Sequence, residues 1–348
     1  MTLPTFRTRI TQLFGIKHPL LMGGMMYLSD ASAVSAVVNA GAMGFITARS
    51  FRTVAEFRDE LQQCKALTAG KPFGVNLTLS RRIGFDNSIS DLLSTALAEG
   101  VRFFETAGVL PSEIIGPVHE AGGKLVHKCP RIRHALSAER LGVDAVALVG
   151  MDEGGHPGKN ELSSFSQAAH AVGRVKIPLV IGGGIGHGRQ IAAALAMGMD
   201  GVVIGSRFTV ASEITAHENY KRRIVEVDED CSTTALSSLG DTWRVLINDT
   251  VREVQRLESQ GARKHEDFGD LIRGYLTKKH CYSRGEWQTG MISISSAAGF
   301  ADAIEPAGYI IERLMRDAAA ATERLASLRT IGRPEAVFAD GPAVGSGA

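Results

Sequence analysis

Eight short apolar runs separated by helical patterns predict an α/β chain that closes into a TIM-type (β/α)8 barrel with a helical insertion after strand eight. Three observations carry this expectation. The runs recur at roughly 20 to 35 residues, the size of one strand–helix unit. The segments between them carry helical spacing and several close on glycine, as in ASAVSAVVNAG (31–41) and GRQIAAALAMG (188–198). After SRF (206–208) the rhythm stops.

The runs are PLLM (19–22), MGFITA (43–48), PFGVNL (72–77), VRFFET (101–106), KLVHKC (124–129), DAVALV (144–149), PLVIGG (178–183) and DGVVIG (200–205). Short apolar runs cannot be typed one at a time, so their regular count decides, and eight units favour a closed barrel over an open sheet. Between about Val210 and Ser296 the chain is helix-like and richer in charge. There Trp243, Leu246, Ile247, Thr250, Val254 and Leu257 fall at three- and four-residue spacing, one face of an amphipathic helix. A last helical pattern, 306–328, is long enough to return to the barrel as its final outer helix. The expected organisation is a barrel over 1–209 and 297–328, a helical substrate-side insertion over 210–296, and a disordered tail over 329–348.

Composition removes several function classes. The 38 basic and 37 acidic residues nearly cancel, whereas a nucleic-acid partner calls for a basic excess. Cys64, Cys129, Cys231 and Cys281 are widely spaced and form no C-x-x-C pair, which argues against a disulfide framework and structural zinc. His217-Glu218 does not continue into H-E-x-x-H, so no metal is expected. The N-terminus has no continuous apolar stretch of the secretory kind, and no apolar run approaches the ~18 residues a bilayer span needs. A cytoplasmic protein with a small-molecule substrate, and no membrane partner, is the expectation; oligomeric state stays open.

Barrel enzymes place their sites at the C-terminal strand ends, with phosphate in the loops after strands seven and eight. Those loops read VIGGGIGHG (180–188) and VIGSRF (203–208), so backbone N–H groups of Gly183, Gly184, Gly205 and Ser206 can converge on a phosphate. The glycine spacing fails G-x-G-x-x-G, which argues against a Rossmann site. Strand six runs into GMDEGGHPGKNE (150–161). His156 follows two glycines there, and an imidazole at a barrel mouth suits proton abstraction at neutral pH. Gly23 and Gly24 in MGGMM (22–26) leave room for a flat ring, Asn76 ends strand three, and Lys128 ends strand five. For each of these the alternative reading is packing at the barrel rim.

With these residues in hand, the chain resembles the nitronate monooxygenase family, once called 2-nitropropane dioxygenases. Within that family it is most similar to the bacterial NADH:quinone reductases formerly grouped as nitronate monooxygenases. The likeness runs from FRTRITQLFGIKHPLLMGGM through PFGVNLTL, ETAG, HKCPRIRHALSAERLGVDAV, GGHPG, IGGGI and GSRF to GMISISSAAG. It implies FMN rather than FAD, with the phosphate at Gly183, Gly184, Gly205 and Ser206. The ring would then lie near Gly23, Gly24, Met25, Asn76 and Lys128 and face His156. Many relatives have Thr at Ser206, and either hydroxyl serves a phosphate. The segment SRRIGFDN (80–87) lacks the prolines of the quinone reductases' nicotinamide-side loop, which argues against NADH use, while Arg81 and Arg82 suit an anionic substrate. The resemblance implies an FMN-dependent oxidoreductase, first a nitronate monooxygenase. An NAD(P)H:quinone reductase and a flavin-dependent enoyl thioester (ACP/CoA) reductase follow, with NAD(P)H as their reductant. A phosphate-ligand-binding barrel without activity is the rival from another class.

Overall fold

A computed structural model describes residues 5–79, 88–158 and 161–328. The segment with Arg81 and Arg82, and the tail expected to be disordered, lie outside the described residues.

The eight expected runs are eight parallel strands: β1 (Leu20–Met22), β2 (Met43–Thr47), β3 (Gly74–Leu79), β4 (Phe103–Gly108), β5 (Lys124–Cys129), β6 (Ala145–Val149), β7 (Leu179–Gly182) and β8 (Gly201–Ile204). They pair in chain order and close, with Leu20 opposite Val202 and Met22 opposite Ile204. β3 and β4 begin two residues later than their apolar runs, because the first ladder partners are Phe45–Gly74 and Gly74–Phe103. The connecting helices are α1 (Arg9–Phe14), α2 (Ala31–Asn39), α3 (Val54–Leu67), α4 (Ile89–Ala98), α5 (Ser112–Glu120), α6 (Ile132–Leu141), α7 (Ser164–Ala171) and α8 (Gly188–Ala196). α1 precedes the barrel and plugs its N-terminal end. Ile10 and Phe14 join Leu21, Met43, Phe45, Val126, Ala145, Ala147, Val180 and Val203 in one buried lumen cluster. The Phe14 ring meets Phe103 edge-on at 5.3 Å and Phe45 at 6.2 Å.

The insertion contains α9 (Glu218–Val225), β9 (Ser232–Ala235), β10 (Trp243–Leu246), α10 (Asp249–Ser259) and α11 (Gly274–Leu276), which runs into a π-helical turn at Thr277–Tyr282. Its expected amphipathic stripe is helical only in part. Trp243 and Leu246 belong to β10, which pairs antiparallel with β9, Trp243 opposite Ala235 and Leu246 opposite Ser232. Asn248 explains where the helix starts. Its side-chain oxygen caps Val251 N–H at 2.9 Å, and its amide donates to the Trp287 and Gly290 carbonyls at 3.0 and 2.9 Å. An Asn held this way is a strong N-cap, so α10 begins at Asp249. The hairpin and α10 share a core of their own, Ala235, Leu236, Val245, Val251, Val254, Phe268 and Met291.

α12 (Ala307–Ser327) returns to the barrel, burying Ala307, Ile310, Ile311, Leu314, Met315 and Ala318 against the outer layer beside α8 and α2. No helix among the described residues is long and apolar enough to cross a membrane.

The lumen is tight at Gly74, since a Cβ there would overlap the Phe45 ring. Gly74→Ala is expected to destabilise the fold by about 2 kcal/mol, the usual cost of overpacking a closed core. Denaturant titration measures it, and Phe45→Leu in the same chain should recover part of the loss. An unchanged midpoint in the single variant would contradict this packing.

Candidate active site

Strand alternation puts Asn76, Glu105 and Lys128 on the inward face of adjacent strands, at the C-terminal layer of the lumen. Glu105 is fully buried and Asn76 nearly so. Glu105 Oε2 accepts from Gly24 N–H at 2.9 Å and from the Asn76 amide at 2.5 Å. Glu105 Oε1 lies 3.2 Å from Lys128 Nζ. Burial alone would lower the Lys128 pKa, but Glu105 and Glu153 together outweigh it and hold the ammonium above its ordinary value. The Asn76 amide faces the carboxylate, so its carbonyl is the group left for a ligand; it already accepts from Thr78 Oγ1 at 3.2 Å. Gly24 packs so closely that a Cβ would overlap Asn76, and one on Gly23 would stand 3.1 Å from Lys128 Nζ. Met25 follows with its N–H on Ser29 Oγ and its carbonyl accepting from Thr47 Oγ1.

The loops after β7 and β8 sit beside this floor. Gly183 and Gly184 hold φ of +112° and +64°, conformations that side chains disfavour. Gln190, in the first turn of α8, ties the loop by accepting from the Gly186 and His187 N–H groups and donating to the Gly184 carbonyl at 2.7 Å. Among the described residues no acceptor takes the backbone N–H groups of Gly184, Gly205 or Ser206. The Ser206 hydroxyl is engaged, accepting from the Ser295 N–H and hydroxyl, each at 3.0 Å.

His156 lies on the loop after β6, and the insertion holds that loop from above. Gly155 and Arg244 exchange backbone hydrogen bonds of 3.0 and 2.7 Å, and Arg244 Nε donates to the Met151 carbonyl at 2.8 Å. The imidazole stacks on Trp243 at 4.6 Å between ring centroids, while Trp243 Nε1 is fixed on Ser293 Oγ at 2.8 Å. His156 Nδ1 is 3.4 Å from Asp241 Oδ1, and the imidazole remains 48% exposed. A carboxylate at Nδ1 favours the tautomer with its lone pair on Nε2, the form of a general base.

Asp152 and Glu153 complete the electrostatics. Asp152 accepts from Ser164 N–H at 3.1 Å and Ser164 Oγ at 2.9 Å, and Ser164 Oγ also reaches the Gly183 carbonyl at 3.2 Å. This ties the loops after β6 and β7 together. Burial pushes both carboxyls up, and Glu153 reaches about 7 although Lys128 opposes the shift.

The strand ends therefore collect Gly23, Gly24, Asn76 and Lys128 on one floor around Glu105. The glycine loops with Gly183, Gly184, Gly205 and Ser206 lie at neighbouring strands, and His156 hangs from the insertion. Reading the sequence did not nominate Glu105, Asp241 or Trp243. Glu105 had a signal, a carboxylate at an inward position of an apolar strand. The three- and four-residue spacing of Trp243 points to a helix, and Asp241 has no local pattern that marks it. Among the described residues no cluster could hold a metal ion.

The profile of the nitronate monooxygenase family matches residues 7–107 and 90–317. A (3aS,4S,5R,7aS)-5-hydroxy-7a-methyl-1-oxo-octahydro-1H-indene-4-carboxyl-CoA dehydrogenase of Mycobacterium tuberculosis is 28% identical over 347 residues, covering 90% of this chain and 96% of its own. A probable nitronate monooxygenase of Staphylococcus aureus is 25% identical over 291 residues, covering 72% of this chain and 81% of its own. Among solved structures, FabK from Thermotoga maritima superposes with a TM-score of 0.85 at 30% identity, covering 93% of this chain and all of its own.

A carboxyl raised by burial binds its proton more tightly folded than unfolded. Its contribution to stability is therefore full below the unfolded pKa near 4.5 and is lost as pH rises through about 7. Glu153→Gln removes that loss. The variant should match the wild type near pH 4 and exceed it by about 3 kcal/mol above pH 8 in denaturant titrations. A wild-type advantage at pH 8 would mean that Glu153 is held as a stabilised anion.

Proposed function

The chain belongs to the nitronate monooxygenase family of flavin-dependent oxidoreductases, and we propose that it binds FMN at the barrel mouth and oxidises alkyl nitronates there. The observation that supports this reading most is the His156 imidazole, half-exposed, stacked on Trp243 and backed by Asp241 at the C-terminal face of the barrel. The open backbone donors of Gly184, Gly205 and Ser206 fit a terminal phosphate, with Gly183 supplying the backbone bend. On the floor, the Asn76 carbonyl suits a ring N–H, and the Lys128 ammonium suits an edge that becomes negative. Gly23, Gly24 and Met25 offer a flat face. Bound there, FMN supplies the two-electron chemistry.

The protein's own part is orientation and proton handling. His156 Nε2 takes the α-proton when the substrate arrives as a neutral nitroalkane, and Asp241 stabilises the resulting imidazolium. When the substrate arrives as a nitronate, the same nitrogen, protonated, donates a hydrogen bond to a nitro oxygen. Trp243 sets the plane of the ring in both cases.

A second reading keeps the site and changes the substrate to a coenzyme A or acyl-carrier thioester. The carboxyl-CoA dehydrogenase relative favours it. An NAD(P)H:quinone reductase remains the third alternative; its expected nicotinamide-side segment falls outside the described residues.

Purified protein should be yellow and release FMN on denaturation, read by chromatography; FAD, or folded protein with no flavin, would refute the site. Anaerobic mixing then separates the substrates. Bleaching by propionate 3-nitronate supports the first reading, by a saturated acyl-CoA the second, and by NADH or NADPH alone the reductases. His156→Asn keeps hydrogen-bonding capacity without the titratable base. Turnover of a neutral nitroalkane should fall ~10²-fold or more, and that of the nitronate less, with FMN content and melting temperature little changed. Equal losses on both substrates would reduce His156 to a positioning role.

A further inference from the structure

We propose that Glu105 is the positioning residue of the ring-binding floor, and that its charge holds the midpoint potential of the bound flavin below what Lys128 alone would set. The proposal rests on the FMN reading above.

The geometry begins with cost. A carboxylate with no solvent exposure survives as an anion only among donors and countercharge, and Glu105 has two donors, the Gly24 N–H and the Asn76 amide, and one countercharge, the Lys128 ammonium. They come from the loop after β1, from β3 and from β5, so one side chain on β4 fixes groups from three separate parts of the ring. The two carboxylate oxygens do different things. Oε2 makes both hydrogen bonds and thereby decides the Asn76 orientation, leaving the amide oxygen as the acceptor for a ligand. Oε1 is close enough to Lys128 for charge contact at 3.2 Å but lacks an aligned hydrogen bond. The Lys128 N–H groups are therefore left for another acceptor, while the positive charge behind them is largely balanced.

That balance matters to a ring which gains negative charge on reduction. Lys128 favours the reduced form, and Glu105, two strand positions away in the same dry layer, opposes it. A glutamine at 105 keeps the acceptor for Gly24 and Asn76 but removes the opposing charge. A merely structural Glu105 would lose stability or flavin on substitution, with no fixed direction in potential. A charge-balancing one moves the potential in one direction, and Lys128 moves it in the other.

The experiment measures the two-electron midpoint potential of FMN-loaded wild type, Glu105→Gln and Lys128→Met by dye-coupled reductive titration, with melting temperature and FMN content alongside. The expected result is a shift toward the reduced form in Glu105→Gln of at least tenfold in the equilibrium, about 30 mV more positive. Lys128→Met should shift the opposite way. If Glu105→Gln does not hold FMN, Glu105→Asp, which keeps the charge but draws it back from its partners, should show a smaller positive shift. An unmoved potential in whichever Glu105 variant holds FMN, or shifts of the same sign at both positions, overturns the proposal while leaving the FMN reading intact. A wild type that purifies folded without FMN overturns both.

Discussion

Once Leu20 pairs with Val202 and the eight strands close, the lumen has one width, and every inward side chain has to fit it. The lower part is met with hydrocarbon: Phe14 rises from α1 between Phe45 and Phe103, and Gly74 gives the Phe45 ring the space a methyl group would take. Such a plug keeps water from below. The layer above it, Asn76, Glu105 and Lys128, is polar and sits on a dry base. Charges in that position interact more strongly than on a surface, and each would be costly alone. The pairing of Glu105 with Lys128 is thus imposed by closure as much as by any ligand.

The same closure decides what the strand ends can offer. Parallel strands point their C-terminal ends to one face, so the loops after β1, β7 and β8 become neighbours although they lie far apart in sequence. Glycine at Gly24 and Gly183 lets those loops come close to Asn76 and Asp152. The bend at Gly183 and Gly184 turns the chain after β7 so that backbone donors remain open beside the floor. Gln190 ties the β7 loop and Ser164 holds Asp152.

The barrel was legible because its signal repeats. One apolar run such as PLLM carries little, but eight at regular spacing leave few other folds. The hairpin β9–β10 was not legible, because Trp243, Leu246 and Ile247 fit a three–four spacing that continues unbroken into the true helix at Asp249. Only the cap made by Asn248 breaks that pattern, and its partners, the carbonyls of Trp287 and Gly290, are some forty residues downstream. The site divides in the same way. Gly183, Gly184, Lys128 and His156 stand at or just past strand ends, where position alone nominates them, whereas β3 runs on to Leu79 and leaves Asn76 inside its strand, directly opposite Glu105. Glu105 lies inside a strand, and its importance shows only when Gly24, Asn76 and Lys128 are seen converging on it. Asp241 is brought to His156 by the hairpin, so a reading that missed the hairpin had no route to it.

The partners of the imidazole point to a division of labour. Asp241, Trp243, Arg244 and Ser293 orient His156 or its loop, and all come from the insertion; the floor is made by β3, β4, β5 and the loop after β1, all from the barrel. The insertion and the barrel meet through the Ser206–Ser295 contact, the paired backbones of Gly155 and Arg244 and a shared buried core.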